Sequence, residues 1–379
     1  MPGLLPNVDP EGLLEFSVVY TDRALNHMSR RFQGVMRDIS AMLKEVYGAH
    51  ATALVPGSGS FGMEAVARQF AGERDVLVLR NGFFSYRWSQ ILEQGRLTAP
   101  ERITVLKARR TGDGPQAPWT PAPIAEVEAA IARAKPAVVF APHVETASGI
   151  VLPDDYMQRV AAAVHAVGGI FVLDCVASGA QWVDMRKAGA DVLITAPQKC
   201  WSSPPCGALV CFSERGLSAL KDTTSSSFAA DLKRWQGIMQ TYENGGHAYH
   251  ATMPTTSLVV LRDTMQETKA RGFDAVCAQQ IELGRKVRAL LESRGLPSVA
   301  AEGYQAAGVV VSYTTDPDIQ SGKAFAAAGL QTASGVPLMC DEPADFRTFR
   351  LGLFGLDKWA NVDRAVSQLA AALDQMGVK

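Results

Sequence analysis

Between about residues 35 and 255, strand-length apolar runs alternate with amphipathic helical stretches, and that alternation leaves the chain few architectures. Val35–Tyr47 has helical periodicity, and Ala51–Val55 is an apolar run ended by Pro56-Gly57. A helix is expected at Phe61–Ala71 and a strand at Asp75–Leu79, before a turn at Asn81-Gly82. Helices follow at Ile124–Ala134 and Asp155–Val167, with strands at Ala137–Ala141, Ile170–Leu173, Asp191–Thr195 and Ala208–Phe212. Continuous hydrophobic strands separated by helices predict a largely parallel sheet covered on both faces. After Pro254 the texture changes. A helical stretch from about Thr255 to Arg294 is broken near Gly272, then strands at Gly308–Tyr313 and Phe349–Phe354 mix with helices near Ser321–Ala328 and Val362–Met376. We therefore expect an N-terminal arm over 1–34, a large α/β domain over 35–255 and a smaller α+β domain over 256–379.

Composition narrows the function more than the fold. The 379 residues suffice for two cores, and 47% hydrophobic with 20% charged residues is ordinary for a soluble protein. A formal net charge of −1 supplies no field for nucleic acid or an anionic membrane. The densest basic cluster, Lys107 to Arg110, reads as a solvated loop edge. No apolar run approaches a membrane span, and Met1 to Pro10 lacks the basic and apolar regions of a signal peptide. The six cysteines show no paired zinc spacing and read as reduced cytoplasmic thiols, with no metal site expected.

Three segments carry chemistry. Pro56-Gly57-Ser58-Gly59-Ser60-Phe61-Gly62 follows a strand and opens a helix, so its N–H groups can receive an anion. Gly57, Gly59 and Gly62 also spell a dinucleotide fingerprint, but the next strand ends Leu79-Arg80-Asn81 without the expected carboxylate. A dehydrogenase preferring a 2′-phosphate could use Arg80 instead. Second, Asp174 ends a hydrophobic strand, where it can pair with a cationic ring nitrogen. Third, Lys199 lies just past a strand end in Ala196-Pro197-Gln198-Lys199-Cys200-Trp201, where apolar flanks would desolvate the amine and lower its pKa. An anion cradle, a strand-end Asp and a desolvated Lys in this order form the minimal kit for pyridoxal phosphate, with Lys199 carrying it as a Schiff base.

These segments resemble the fold-type-I pyridoxal phosphate enzymes, and within them the class V aminotransferases of the alanine–glyoxylate and serine–pyruvate kind. The resemblance runs from about residue 26 to 370 and implies a large domain with a mostly parallel seven-stranded sheet plus a smaller α+β domain. It places the phosphate loop at Ser58, Gly59 and Ser60, and Phe84 of Asn81-Gly82-Phe83-Phe84-Ser85-Tyr86-Arg87 on one face of the pyridine ring. In His143-Val144-Glu145-Thr146-Ala147-Ser148-Gly149 it assigns Thr146 to the ring's phenolic oxygen, and it puts Gln198 near the phosphate. Tyr249-His250-Ala251-Thr252 resembles a segment that crosses a homodimer interface, so that Tyr249 and Thr252 reach the other subunit's phosphate. Phe349-Arg350-Leu351-Gly352 matches the arginine that clamps a substrate carboxylate. Together these imply transfer of an amino group between a small amino acid and a 2-oxo acid such as pyruvate or glyoxylate.

Two segments depart from the family pattern: Glu15-Phe16-Ser17-Val18-Val19-Tyr20, where a Gly-Pro-Gly-Pro-type stretch lines the substrate pocket, and Cys340-Asp341-Glu342-Pro343-Ala344-Asp345, where a glycine-rich loop is usual. Tyr20, with Asn26-His27, could line an enlarged or more polar pocket or simply pack the arm. A phosphonate-amine transaminase therefore stays open. A desulfurase or lyase would use Cys340 as nucleophile, although Asp341 and Glu342 disfavour a thiolate there. A dehydrogenase and a non-catalytic homologue are the readings from other classes.

Overall fold

The computed structural model describes Asp9 and residues 11–378. The remaining residues, and with them most of the signal-peptide expectation for Met1 to Pro10, lie outside the described part. In chain order the strands are β1 (Ala51–Pro56), β2 (Val76–Arg80), β3 (Ile103–Lys107), β4 (Arg109–Arg110), β5 (Trp119–Thr120), β6 (Val138–Pro142), β7 (Ile170–Asp174), β8 (Val192–Thr195), β9 (Gly207–Phe212), β10 (Val309–Tyr313), β11 (Ala333–Ser334) and β12 (Thr348–Gly352). Seven of them form one sheet in the order β1-β9-β8-β7-β6-β2-β3.

The pairings β3–β2–β6–β7–β8 are all parallel, whereas β9 runs antiparallel to both neighbours, β8 and β1. One strand is thus reversed within an otherwise parallel sheet. Every residue of β6, β7 and β9 is buried. Because successive side chains point to opposite faces, burial of both sets means that both faces are covered. The sequence supplies this directly, as Val-Val-Phe-Ala-Pro and Ile-Phe-Val-Leu-Asp. Strand β1 sits at the sheet's edge, hydrogen-bonded only to β9.

Local signals set the helix ends. The helix Arg30–Tyr47 begins at Ser29, whose side chain accepts from Phe32 N, and stops at Gly48 with φ 63°. The helix Gly59–Phe70 packs so tightly on the sheet that a Cβ on Gly62 would sit 2.4 Å from Ala208 Cβ. Its neighbour Phe83–Gln94, which follows the Asn81-Gly82 turn, was not anticipated from periodicity, nor were β3 and the helix Leu232–Glu243.

The buried apolar side chains divide into a large cluster around the seven-stranded sheet, one in the C-terminal part of the chain, and one that joins Trp119, Val144 and Ile150 to Val309, Val311 and Leu338. Leu258, Leu261 and Met265 of the helix Thr255–Arg271 belong to the large cluster. Val276, Leu283 and Val287 of the next helix, Phe273–Ser293, belong to a second, with Phe349 and Leu351. The chain passes from one core to the other at Gly272, which has φ 87°. The second core supports a three-stranded antiparallel sheet, β10-β12-β11, with β12 in the middle. Among the described residues no helix is long and apolar enough to cross a membrane.

Candidate active site

The carboxyl ends of the parallel strands converge on one cavity, the position where open α/β sheets bind ligands. Lining it are Ser58, Gly59 and Ser60 after β1, Phe84 and Arg87 after β2, and Thr146 after β6. Asp174 at the end of β7, then Val176, and Gln198 and Lys199 after β8 complete the wall. The ladder aligns Asp174 with Ile194, which sets β7 and β8 side by side with both reactive side chains at the same end.

Asp174 is 7% exposed, and one carboxylate oxygen accepts from Val176 N at 2.9 Å. Burial pushes its pKa up to about 6, Glu145 adds to the rise, and Val176 N–H, Lys199 and Arg87 oppose it. For Lys199, burial lowers the pKa, Asp174 pulls it back up, and Arg350 and Arg87 lower it again. The Lys199 amine makes no hydrogen bond among the described residues; its Nζ lies 5.4 Å from the Phe354 ring centre. Behind the site His143 is fully enclosed, with Nδ1 2.8 Å from Ser178 Oγ, and burial pushes it down to about 4, so it is neutral.

Ser58 holds the cap position of the helix Gly59–Phe70 without turning its hydroxyl onto the helix. A Cβ at Gly59 would meet Val176 Cγ2 at 2.8 Å, so only glycine lets the loop backbone approach so closely. Arg350, from β12, donates through Nε to Ser334 O and lies 5.3 Å from the Phe84 ring centre. Burial lowers its pKa, against the charge of Glu145.

Two participants carry no motif of their own. Glu145 is completely buried and accepts from Phe84 N (3.1 Å), Ser85 N (2.8 Å), Ser85 Oγ (2.6 Å) and Ala147 N (2.9 Å). Its carboxylate therefore holds the first turn of the Phe83–Gln94 helix, and with it Phe84, against the loop that carries Thr146. Arg87 donates to Ser60 Oγ at 2.8 Å. Both residues lie inside quoted segments, but their partners are too distant in sequence to be inferred.

Tyr20, Tyr249 and Thr252 do not line the cavity. Tyr249 is 52% exposed, with its hydroxyl 3.1 Å from Thr252 Oγ1, and Tyr20 donates to Met253 O at 3.1 Å. The rings of Tyr20 and Tyr249 flank His27. Cys340 is buried, its thiol donates to Arg80 O at 3.3 Å, and burial pushes it up to about 12. That is the opposite of what a sulfur nucleophile needs. Arg80, on which a dehydrogenase would depend, is instead tied to Met339 O and Ser89 Oγ.

A phosphate cradle, a strand-end aspartate and a half-buried lysine on this sheet define a fold-type-I pyridoxal phosphate enzyme. The family profile described as aminotransferase class-V matches residues 14–321, and the chain belongs to that family. It is thus a pyridoxal-phosphate-dependent aminotransferase. Alanine–glyoxylate aminotransferase of Felis catus is 26% identical over 93% of this chain and 82% of its own length. The 2-aminoethylphosphonate–pyruvate transaminase of Paraburkholderia phymatum is 27% identical over 94% and 91%. Among solved structures, alanine–glyoxylate aminotransferase from Nostoc sp. superposes with a TM-score of 0.78 at 20% identity, covering 92% of this chain and 88% of that one.

The residues present fit the cofactor. Gln198 Oε1 is buried at the cavity wall without a partner, and the amide turned over would present its NH2 donors to an anion there. The narrow approach at Gly59 and the free Ser58 hydroxyl suit a phosphate, and Asp174 suits a ring N–H.

Proposed function

We propose that this enzyme moves an amino group between a small amino acid and a 2-oxo acid such as pyruvate or glyoxylate, in a ping-pong cycle centred on Lys199. The observation that carries the reading is a half-buried lysine whose amine makes no hydrogen bond among the described residues and shares one cavity with Asp174, on adjacent strand ends. Ser58, Gly59, Ser60 and Gln198 would hold the phosphate, Phe84 the ring face and Thr146 the phenolic oxygen. When bound, pyridoxal phosphate supplies an aldehyde that joins amines and a protonated ring that accepts electron density from the substrate's Cα.

The chain's residues do the rest. Asp174 holds the proton on the ring nitrogen. A carboxylate that burial makes reluctant to ionise is stabilised most by a cation beside it. Lys199 Nζ, whose pKa burial lowers, takes the proton from the donor's Cα and redelivers it, as general base and then general acid. Arg350 grips the carboxylate of donor and acceptor alike with its planar fork.

The working form is a homodimer in which Tyr249 and Thr252 of one subunit face the phosphate in the other. Their exposure, and their absence from the cavity of their own subunit, support this. Tyr20, beside the same segment, would meet the partner's substrate there. A cytoplasmic setting and small-molecule partners, with no nucleic acid or membrane, agree with the net charge of −1. Lys199→Ala tests the core of the reading: turnover and visible imine absorbance should vanish together, and full activity would end it.

A phosphonate amine as donor is the second reading, favoured by the relative that acts on 2-aminoethylphosphonate and is matched over 91% of its length. Loss of imine absorbance on adding alanine, glycine, serine or 2-aminoethylphosphonate in turn separates the two.

A further inference from the structure

The phosphate cradle read from the sequence contains no cation. Ser58, Gly59, Ser60 and Gln198 are neutral, as are Tyr249 and Thr252, which the homodimer would add. A phosphate ester carries about −1.5 to −2 charges near neutral pH. A helix N-terminus offsets only about half a charge. Two carboxylates close by, Asp174 and the fully buried Glu145, work against an anion.

Among the described residues that line the cavity, the cations are Lys199 and Arg87. Lys199 must be neutral to react with an aldehyde, and burial lowers its pKa accordingly. Arg87 is different. A guanidinium is a permanent cation. It is half-buried at the cavity wall, and none of the ion pairs among the described residues includes it.

Its geometry indicates what it is set to meet. Nη1 donates to Ser60 Oγ at 2.8 Å, and the guanidinium carbon lies 5.2 Å from the Phe84 ring centre. The ring contact limits its freedom. Because Ser60 Oγ accepts from Arg87, its own proton is left to donate elsewhere, into the cradle that its backbone helps to form.

Building on the cofactor site proposed above, we propose that Arg87 is the counter-charge for the cofactor's phosphate, acting both directly and through Ser60. It thereby makes the site select pyridoxal phosphate over unphosphorylated pyridoxal. Arg87 is a binding and positioning residue here, with no part in moving protons.

The test uses the full-length chain stripped of cofactor, as wild type, Arg87→Gln and Arg87→Lys. Each is titrated with pyridoxal phosphate and with pyridoxal, reading the visible absorbance that appears when lysine joins the aldehyde. Inorganic phosphate is then added to each stripped protein and the melting temperature followed. Arg87→Gln should weaken pyridoxal phosphate by about tenfold or more and leave pyridoxal unchanged. Arg87→Lys should recover part of the loss, and phosphate should raise the melting temperature of wild type but not of Arg87→Gln. Equal weakening of both aldehydes, or pyridoxal phosphate affinity retained within about twofold, overturns the inference. Wild-type protein that binds neither aldehyde overturns the cofactor-site reading itself, an outcome distinct from the other two.

Discussion

Asp174→Asn should make the cofactor-stripped protein more stable above pH 6 while damaging the enzyme. Burial raises this carboxyl from 3.8 to about 6, so the folded state retains a proton that the unfolded chain releases. Stability is therefore complete below about pH 4, falls as pH rises through the window from about 4 to about 6, and stays low above it. The whole loss is about 3 kcal/mol, with the opposing effects of Lys199 and Arg87 already included in the shift. Asparagine cannot ionise, and its side-chain oxygen can keep the bond from Val176 N, so the variant escapes the decline. Thermal melts of both stripped proteins between pH 4.5 and 8 should diverge by about 4 °C at the upper end. Saturating pyridoxal phosphate should then restore wild type more than the variant, because only a carboxylate gains from a ring cation. Melting curves that stay parallel across the window would refute the argument that burial penalises the ionised form.

Three further outcomes follow from the site. Glu145→Ala strands the N–H groups of Phe84, Ser85 and Ala147 without an acceptor, and should lower stability by about 3 kcal/mol or more in a thermal melt, with turnover falling too. Gly62→Ala forces a methyl to 2.4 Å from Ala208 Cβ and 3.2 Å from Ile194 Cγ2, which should cost about 1–3 kcal/mol and weaken cofactor retention. Arg350→Lys should raise KM for the amino and oxo acids by about tenfold or more while the cofactor spectrum stays unchanged, since a single ammonium cannot form the planar two-point contact.

Elements with strong periodicity were legible from the sequence. Ile124–Ala134 has the expected ends, and the buried strands lie within a residue or two of where their apolar runs place them. The helix Phe83–Gln94 escaped because its aromatic start follows a turn signal, and Leu232–Glu243 because it mixes Lys, Arg and Gln with a central Gly237. Strand β3 lies at the sheet's other edge and is only half-buried throughout, so Ile-Thr-Val-Leu-Lys carries little contrast. The reversal of β9 was readable in principle: the short link 196–206 leaves scant room for a parallel crossover. Lys199, Asp174 and the glycine loop could be singled out because strand ends concentrate ligands. Glu145 and Arg87 could not, because their partners Ser85 and Ser60 lie 60 and 27 positions away. Pairing at that range depends on how the helices dock, which residue type alone does not encode.

The edge position of β1 has a consequence for how the protein is made. Its ladder partner is β9, yet the ribosome delivers Ala51–Pro56 first and Gly207–Phe212 only after the intervening strands. A nascent chain halted before β9 could already pair β2, β3, β6, β7 and β8 and would carry Asp174 and Lys199 in place. It would still leave β1 unpaired, with backbone groups open to stray association, and the phosphate loop that follows β1 without the strand that anchors its start. The last backbone support of the phosphate loop therefore comes from a strand made about 150 residues after it.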